Sequence, residues 1–260
     1  AGLTERDMGA KYKPWQKITT TPHAAVFSPD GTRIATTEHE GNDYLSDYYL
    51  HARLPGGYFL TSEGNYDEQV RNARFMISED LTIHSDPDNP LLRSKNDFYY
   101  VFGFEDEVLL ASPGEGELIN PEDWTPAMAL FDENLKEVWR TEPIEALQRF
   151  LPYAACKTED GFVMTGILMQ TERTPTNVTA CKISREGELL WIYQLEDGAY
   201  SIPCDALALP DGSVAIAGYT NRKETINGDE RPMDGYFIRL DKDGNVLSTQ
   251  NYAEPYDVST

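Results

Sequence analysis

The stretch Leu209-Pro210-Asp211-Gly212-Ser213-Val214-Ala215 decides the fold, because an apolar segment, a tight turn and a second apolar segment follow one another within seven residues. Glycine and aspartate tolerate the positive φ that a two-residue hairpin turn requires. The signature recurs along the chain, with Pro55, Glu105, Glu159 and Pro210 at equivalent positions and steps of 50, 54 and 51 residues. The sequence therefore predicts a β-hairpin that is repeated about every fifty residues.

A second hairpin signature alternates with the first. It begins at Val26-Phe27-Ser28-Pro29-Asp30-Gly31, and its equivalent positions are Phe27, Ile77, Phe131, Ile183 and Leu240. Two hairpins give four strands in each unit, and such a unit with a period near fifty residues is typical of a β-propeller blade. We therefore predict an all-β propeller, with strands a to d of each blade counted from the axis outward. A β-sandwich, the alternative all-β fold, has no reason to repeat at this period.

The number of units predicts five four-stranded blades in a single domain. Four units are complete, whereas the first has only strands b, c and d, with strand b expected at residues 15–20. Residues 253–260 are expected to supply its missing strand a, so that one blade is shared between the two termini. The predicted blade boundaries are 11–40, 41–90, 91–142, 143–196 and 197–252. The alternative is that the chain is a fragment of a longer propeller.

The composition limits the possible partners. The chain has 44 acidic and 22 basic residues, so its formal net charge is −22. This charge repels a phosphate backbone and an anionic membrane surface, and we expect no nucleic-acid partner. No segment approaches the roughly eighteen consecutive apolar residues of a membrane helix, so we expect no membrane insertion. The three cysteines, Cys156, Cys181 and Cys204, are expected to be buried free thiols.

The lengths of the connections predict where a ligand binds. The a–b and c–d turns are tight, whereas the b–c and d–a connections are long and lie at the same end of every blade. Loops on a rigid frame carry function more often than tight turns do. Each aromatic residue near these loops has a structural alternative, because tyrosine also packs well between strands. The predicted ligand-binding residues at this end are Tyr44, Tyr48, Tyr66, Trp124, Tyr153 and Tyr200.

Signals for catalysis and for metal binding are few. None of the four histidines has the spacing of a zinc ligand, and no nucleophile-elbow, Walker or dinucleotide motif occurs, so we expect no metal and no cofactor. The segment Asp241-Lys242-Asp243-Gly244-Asn245 resembles the start of a calcium loop but fits a turn with a glycine bulge better. The catalytic alternative is a glycan-active enzyme, resembling a glycoside hydrolase, in which Asp47, Asp97 and Asp205 converge at the propeller axis.

Two segments of the last unit resemble a known class of repeat. They are Pro210-Asp211-Gly212-Ser213-Val214-Ala215-Ile216-Ala217-Gly218-Tyr219 and Asp234-Gly235-Tyr236-Phe237-Ile238-Arg239-Leu240-Asp241-Lys242-Asp243-Gly244-Asn245-Val246-Leu247. They resemble the DGGYIIAGYT and DAYLIKLDSNGNVLW segments of bacterial secreted and cell-surface β-propeller proteins. The resemblance implies a bacterial exported protein and transfers no functional residues.

These observations together predict a non-catalytic binding or interaction propeller. We expect a monomer whose ligand is a carbohydrate, a protein or a peptide, bound at the loop-rich end around the central channel. The expected location is outside the bacterial cell or on its surface, and a cytoplasmic location stays open.

Overall fold

The computed structural model describes residues 2–5, 20–27, 30–38, 46–65, 74–78, 82–84, 100–113, 125–168, 177–195, 200–221 and 234–252. Within these residues the chain forms nineteen β-strands and two short 3-10 helices, at Pro55–Gly57 and Glu145–Leu147. The prediction of an all-β fold is confirmed. None of the helices in this described part is long and apolar enough to cross a membrane.

The first sheet has three strands in the order β1-β2-β3, which are Gly2–Glu5, Thr20–Phe27 and Arg33–Glu38. The strand beside β2 is therefore Gly2–Glu5, and the prediction of residues 15–20 at this position is wrong. Gly2–Glu5 contains one large apolar residue, Leu3, so no alternating pattern marks it as a strand. Residues 253–260, the predicted closing strand, lie outside the described residues.

Four further sheets have four strands each, and in every one the spatial order of the strands follows the chain. The second sheet contains β4 (Ser46–Leu54), β5 (Tyr58–Asn65), β6 (Arg74–Ile77) and β7 (Ile83–His84). The third contains β8 (Tyr100–Gly103), β9 (Val108–Pro113), β10 (Pro126–Phe131) and β11 (Glu137–Arg140). The fourth contains β12 (Phe150–Thr158), β13 (Gly161–Leu168), β14 (Asn177–Ser184) and β15 (Leu189–Gln194). The fifth contains β16 (Tyr200–Ala208), β17 (Val214–Asn221), β18 (Asp234–Leu240) and β19 (Val246–Tyr252). Each sheet thus has the up-and-down topology of a propeller blade, with strands a to d in sequence.

The chain divides into two compact units. One consists of Ala1–Val108 and Phe131–Lys136, and the other of Leu109–Leu130 and Glu137–Thr260. The first and second sheets belong to the first unit, and the fourth and fifth sheets belong to the second. Within the second unit the fourth and fifth sheets share one apolar core, because the side chains that alternate toward it come from both sheets. Its members include Val163, Val178 and Ala180 of the fourth sheet and Ile216, Tyr236 and Ile238 of the fifth.

Two tryptophans join neighbouring sheets within the second unit. Trp191 of β15 donates its indole N–H to the backbone carbonyl oxygen of Lys242 at 2.9 Å. Trp139 of β11 donates in the same way to the carbonyl oxygen of Arg185 at 2.7 Å. Lys242 and Arg185 occupy equivalent positions in the c–d turns of the fifth and fourth sheets. The third sheet is therefore bound to the c–d turn of the fourth, and the fourth to that of the fifth, by the same hydrogen bond.

The glycines of these turns take part in the same contact. We call the packing of a tryptophan against the c–d turn of the next sheet the joint between the two sheets. Gly187 and Gly244 have φ of 89° and 84°, in the left-handed region that favours glycine. A Cβ atom at Gly244 would lie 2.8 Å from the ring of Trp191, and one at Gly187 would lie 3.2 Å from the ring of Trp139. The tryptophan ring therefore packs directly against a turn that has no side chain at this position.

Candidate functional site

Strand a of three sheets carries a β-bulge. The strand pairing shifts at equivalent positions of β12 and β16, between Pro152 and Ala154 and between Pro203 and Asp205. A third shift, between Leu50 and Ala52 in β4, lies two residues nearer to its a–b turn. The residues that the bulges insert are His51 in β4, Tyr153 in β12 and Cys204 in β16. A bulge redirects a side chain and is over-represented beside active sites. The fourth and fifth sheets therefore repeat, at the same position, a bulge that redirects one residue of strand a.

The local sequence explains the bulges of β12 and β16. A proline, Pro152 or Pro203, precedes the inserted residue and cannot donate a backbone hydrogen bond to the sheet. Opposite these prolines stand Gly166 and Gly218, and a Cβ atom at either glycine would overlap a backbone carbonyl oxygen of strand a. Proline on one strand and glycine on the next therefore permit the close approach that the bulge requires.

The bulges expose polar and aromatic groups to solvent. Tyr153 is 38% exposed, whereas the next residue, Ala154, is 7% exposed. Cys204 and Asp205 are both exposed, and β12 and β16 pack beside one another. The Asp205 carboxylate accepts the backbone N–H of Ala206 at 2.8 Å. We call the exposed residues Tyr153, Cys204 and Asp205 the bulge surface; they combine an aromatic ring, a thiol and a carboxylate.

The three cysteines differ in burial. Cys156 and Cys181 are buried free thiols, as predicted, but Cys204 is exposed, and the prediction that it is buried is wrong. Its exposure follows from its place in the bulge. Burial, with a smaller contribution from the charge of Asp205, raises the pKa of Cys156 to about 12. Burial also raises the pKa of Cys181. The two buried thiols are therefore unreactive, and Cys204 is the accessible one.

Three of the six predicted ligand-binding residues lie on described strands. Tyr153 belongs to the bulge surface, as stated above. Tyr48 lies in β4, three residues before the bulge, and Tyr200 begins β16, four residues before its bulge. The remaining three, Tyr44, Tyr66 and Trp124, lie outside the described residues.

The predicted catalytic aspartates occupy unlike positions on their own strands. Asp205 directly follows the bulge of β16, whereas Asp47 precedes the bulge residue of β4 by four residues. When the strands are aligned on their a–b turns, at Pro55 and Pro210, these positions differ by three residues, or about 10 Å along a strand. Asp97 lies outside the described residues. In the described part of the chain, no group of three or more His, Cys, Asp or Glu side chains is arranged to hold a metal ion.

The acidic segment that resembles a calcium loop forms a c–d turn. The Asp241 carboxylate accepts the backbone N–H groups of Asp243 and Asn245 at 2.9 and 2.8 Å, and Gly244 has positive φ. Hydrogen bonds from the Asn245 side chain, followed by these backbone hydrogen bonds, lower the pKa of Asp241. The carboxylate is thus used to close the turn, in agreement with the prediction of a turn with a glycine bulge.

A cavity of about 450 Å³ lies at the other end of the second sheet, at the a–b turns. The sequence predicts no ligand at this end, because the a–b turns are too short to surround one. The unusual glycine pair at Gly56 and Gly57 is the sequence signal that marks it. The cavity is lined by Arg53, Leu54, Gly56, Gly57, Gly103, Phe104 and Glu105, all within the first unit.

No known family model matches this sequence, and no curated protein matches it. Among solved structures, the chain is similar to a eukaryotic initiation factor, with 11% identity and a TM-score of 0.43. That match covers 98% of this chain and 64% of the other, so this chain spans less than two thirds of its length. A subtype N10 neuraminidase-like protein of A/little yellow-shouldered bat/Guatemala matches with 11% identity and a TM-score of 0.37, over 89% of this chain and 75% of that one. An alpha-L-arabinofuranosidase from Clostridium thermocellum matches with 7% identity and a TM-score of 0.35, over 81% and 74% of the two chains. Similarities this low transfer neither an activity nor a ligand.

Proposed function

We propose that this chain is a non-catalytic ligand-binding β-propeller with five blades, one of them completed by residues 253–260. The regular repeat of about fifty residues and the up-and-down order of the sheets support this architecture. The resemblance of the last unit to repeats of bacterial secreted and cell-surface propellers supports a place outside the bacterial cell. The ligand binds to the strand-a side of the blades and contacts the bulge surface.

The repeated bulge carries this proposal. A bulge interrupts the hydrogen-bonded ladder of its sheet and therefore costs local stability. Strand a could bury its residues in regular alternation without this interruption. Instead, the proline and glycine pairs at Pro152 with Gly166 and Pro203 with Gly218 maintain the bulge in two neighbouring sheets. The result is an exposed row of polar and aromatic groups, which suits recognition.

The chemistry of the bulge surface favours a carbohydrate or a peptide. The ring of Tyr153 offers a flat apolar face with a polar tip. The carboxylate of Asp205 accepts hydrogen bonds from hydroxyl or amide groups. In this proposal the binding surface extends along strand a toward the long loops. Within the second unit, Tyr200 at the start of β16 extends it. Tyr44, Tyr48, Tyr66 and Trp124 stay predicted ligand-binding residues.

The test is an array of glycans and peptides, followed by affinity measurements with the best binder. We expect Tyr153→Ala to weaken binding by roughly 30-fold, because a central aromatic anchor contributes about 2 kcal/mol. The control is Tyr252→Ala on the outer strand β19, where the tyrosine is 60% exposed and its loss leaves affinity unchanged. Equal affinities in wild type and Tyr153→Ala would contradict the proposal.

The alternative function is that of a glycan-active enzyme that uses aspartates near the propeller axis, for which the sequence predicts Asp47, Asp97 and Asp205. A panel of chromogenic glycosides distinguishes the two, because a binding protein gives no turnover. Hydrolysis that is lost in Asp205→Asn and retained in Asp211→Asn would establish the enzyme and overturn the binding proposal.

A further inference from the structure

The fifth sheet has one buried face and one partly exposed face. Ala206, Ile216 and Ile238 pair across its first three strands and belong to the apolar core shared with the fourth sheet. Asp205 and Leu207 flank Ala206 in β16, so their side chains lie on the opposite face. On that face Asp205 is exposed and Leu207 is 62% exposed. One strand therefore presents a carboxylate and a large apolar side chain to solvent.

The strand register places apolar side chains around Asp205. Leu207 is two residues from Asp205 on the same strand, or about 7 Å away. Ala217 of β17 pairs directly with Asp205 and is exposed as well. Phe237 of β18 pairs with Ala217 and is half-buried. We call Asp205, Leu207 and Ala217 the Asp205 patch; it is a carboxylate bordered by apolar surface.

The fourth sheet buries the equivalent positions. Counted from the a–b turns, Ala154 and Cys156 of β12 stand where Asp205 and Leu207 stand in β16. Both are 7% exposed and belong to the core that the two sheets share. The packing of neighbouring sheets thus uses small side chains without charge at these positions. The fifth sheet instead carries a charge and a larger apolar side chain, and both are open to a ligand.

The charge of Asp205 is uncompensated, whereas other aspartates of the second unit are paired. Asp160, Asp211 and Asp243 each form an ion pair with a lysine or an arginine. In the described part of the chain, no basic side chain pairs with Asp205. One of its carboxylate oxygens accepts the N–H of Ala206 at 2.8 Å. The negative charge of Asp205 is therefore available to a cationic group.

We propose that the ligand of the bulge surface is a basic peptide, held at the Asp205 patch by one arginine or lysine side chain. This inference rests on the proposed function, because Asp205 belongs to the bulge surface. The guanidinium or ammonium group donates charge-assisted hydrogen bonds to Asp205. Its methylene stem packs on Leu207 and Ala217, as such stems do on apolar surface.

The charge of the whole chain favours the same ligand. A formal net charge of −22 attracts a basic peptide and repels an acidic one. A neutral sugar can donate hydrogen bonds to Asp205, but it has neither a compensating charge nor an aliphatic stem for Leu207. The Asp205 patch therefore favours the peptide over the carbohydrate.

An array of short synthetic peptides tests the proposal. Each arginine peptide is matched by a copy with citrulline, and each lysine peptide by a copy with acetyl-lysine, so that shape is largely kept and the charge is removed. By calorimetry we expect at least one basic peptide to bind with a Kd below about 100 μM and its uncharged copy to bind at least tenfold more weakly.

Two results of the array would overturn the inference. They are the absence of binding by every basic peptide and equal binding of the basic and uncharged copies. A glycan that binds and depends on Tyr153 would, in either case, leave the proposed function in place. The failure of this inference is thus distinguishable from the failure of the binding proposal.

Substitutions at Asp205 separate the effect of charge from that of shape. Asp205→Asn should weaken the best basic peptide at least tenfold and leave its uncharged copy unchanged. Asp205→Glu keeps the charge and should bind the basic peptide more tightly than Asp205→Asn does. The control is Asp243→Asn, which changes the net charge equally at an exposed c–d turn and should leave the affinity unchanged. Equal losses in Asp205→Asn and Asp243→Asn overturn the ion pair.

A substitution at Leu207 tests the packing of the stem. Leu207→Ser should weaken the basic peptide and its uncharged copy by the same factor, at least about threefold, because the stem is present in both. The control is Leu190→Ser on β15, where the leucine is 48% exposed and its loss should leave both affinities unchanged. Circular dichroism verifies that all variants are folded. An affinity that Leu207→Ser leaves unchanged contradicts the packing of the peptide on this patch.

Discussion

The joint between the fourth and fifth sheets is open to a direct energetic test at Gly244. Replacing Gly244 with alanine adds a Cβ atom that would lie 2.8 Å from Cδ2 and 3.0 Å from Cε3 of Trp191. Real Cβ contacts are longer, so the indole ring must move away from the turn. Movement of the ring also breaks the hydrogen bond from its N–H to the carbonyl oxygen of Lys242.

The expected decrease in the free energy of unfolding is the sum of a contribution from the backbone and a contribution from the contacts of Trp191. Alanine at a φ of 84° costs about 1 kcal/mol relative to glycine. The lost hydrogen bond costs about 1 kcal/mol, and the disturbed packing of the ring costs about 1 kcal/mol more. The control is Gly212→Ala in the same sheet, where φ is 81° and nothing lies within 4 Å of the Cβ position. Gly244→Ala should therefore destabilise the fold by about 3 kcal/mol, and Gly212→Ala by about 1 kcal/mol.

The measurement is the free energy of unfolding from urea titrations of the wild type and both variants. Repeating Gly244→Ala in a Trp191→Ala background removes the ring that the new methyl group would contact. The cost of the alanine should then fall to the value for Gly212→Ala. Equal costs at the two glycines in the wild-type background, or an unchanged cost without Trp191, would refute the joint as described.

Three further predictions concern other contacts of the second unit. The hydrogen bond from Lys182 lowers the pKa of Asp160, so the pair stabilises the fold above pH about 4 and this contribution is lost as the pH falls through the folded-state pKa. Asp160→Asn should thus cost about 1 kcal/mol at pH 7 in urea titrations, because its carboxylate is largely solvated, and this cost should shrink as the pH falls below about 4. Trp139→Phe removes an indole hydrogen bond while keeping an aromatic ring, and unfolding titrations should show a loss of about 1 kcal/mol. A thiol reagent should modify Cys204 alone in the native protein and all three cysteines after denaturation, and a mass spectrum counts the modified thiols.

The strands were predictable because turn residues mark their ends. Strand b of the fifth sheet begins at Val214, two residues after the Asp211-Gly212 turn, and is observed at Val214–Asn221. Strand a of the fourth sheet is observed at Phe150–Thr158 and ends directly before the turn at Glu159-Asp160-Gly161. In both cases the Asp-Gly turn marks one end of the strand, and the apolar residues beside the turn identify the segment as a strand. Gly2–Glu5 has neither signal, and so its place in the first sheet could not be predicted.

The candidate site was predictable only in part, because a bulge depends on how two strands meet. Alternation through Pro203, Cys204 and Asp205 suggests a regular strand, and a regular strand would bury Cys204. The signal that was available is the pairing of a proline in strand a with a glycine in strand b, as in Pro203 with Gly218. The cavity at Gly56 could likewise not be predicted from a single hairpin motif, because its lining residues come from the a–b turns of two sheets.

The central claim is that a ligand binds at the bulge surface, and protection of Cys204 tests it most directly. Cys204 is the accessible thiol and belongs to the bulge surface itself, so its rate of modification reports on occupancy without any mutation. With the best glycan or peptide from the array present at saturation, we predict that the modification rate of Cys204 falls at least tenfold. The protection should disappear in Tyr153→Ala at the same ligand concentration. A ligand that binds tightly and leaves the rate at Cys204 unchanged would contradict the claim.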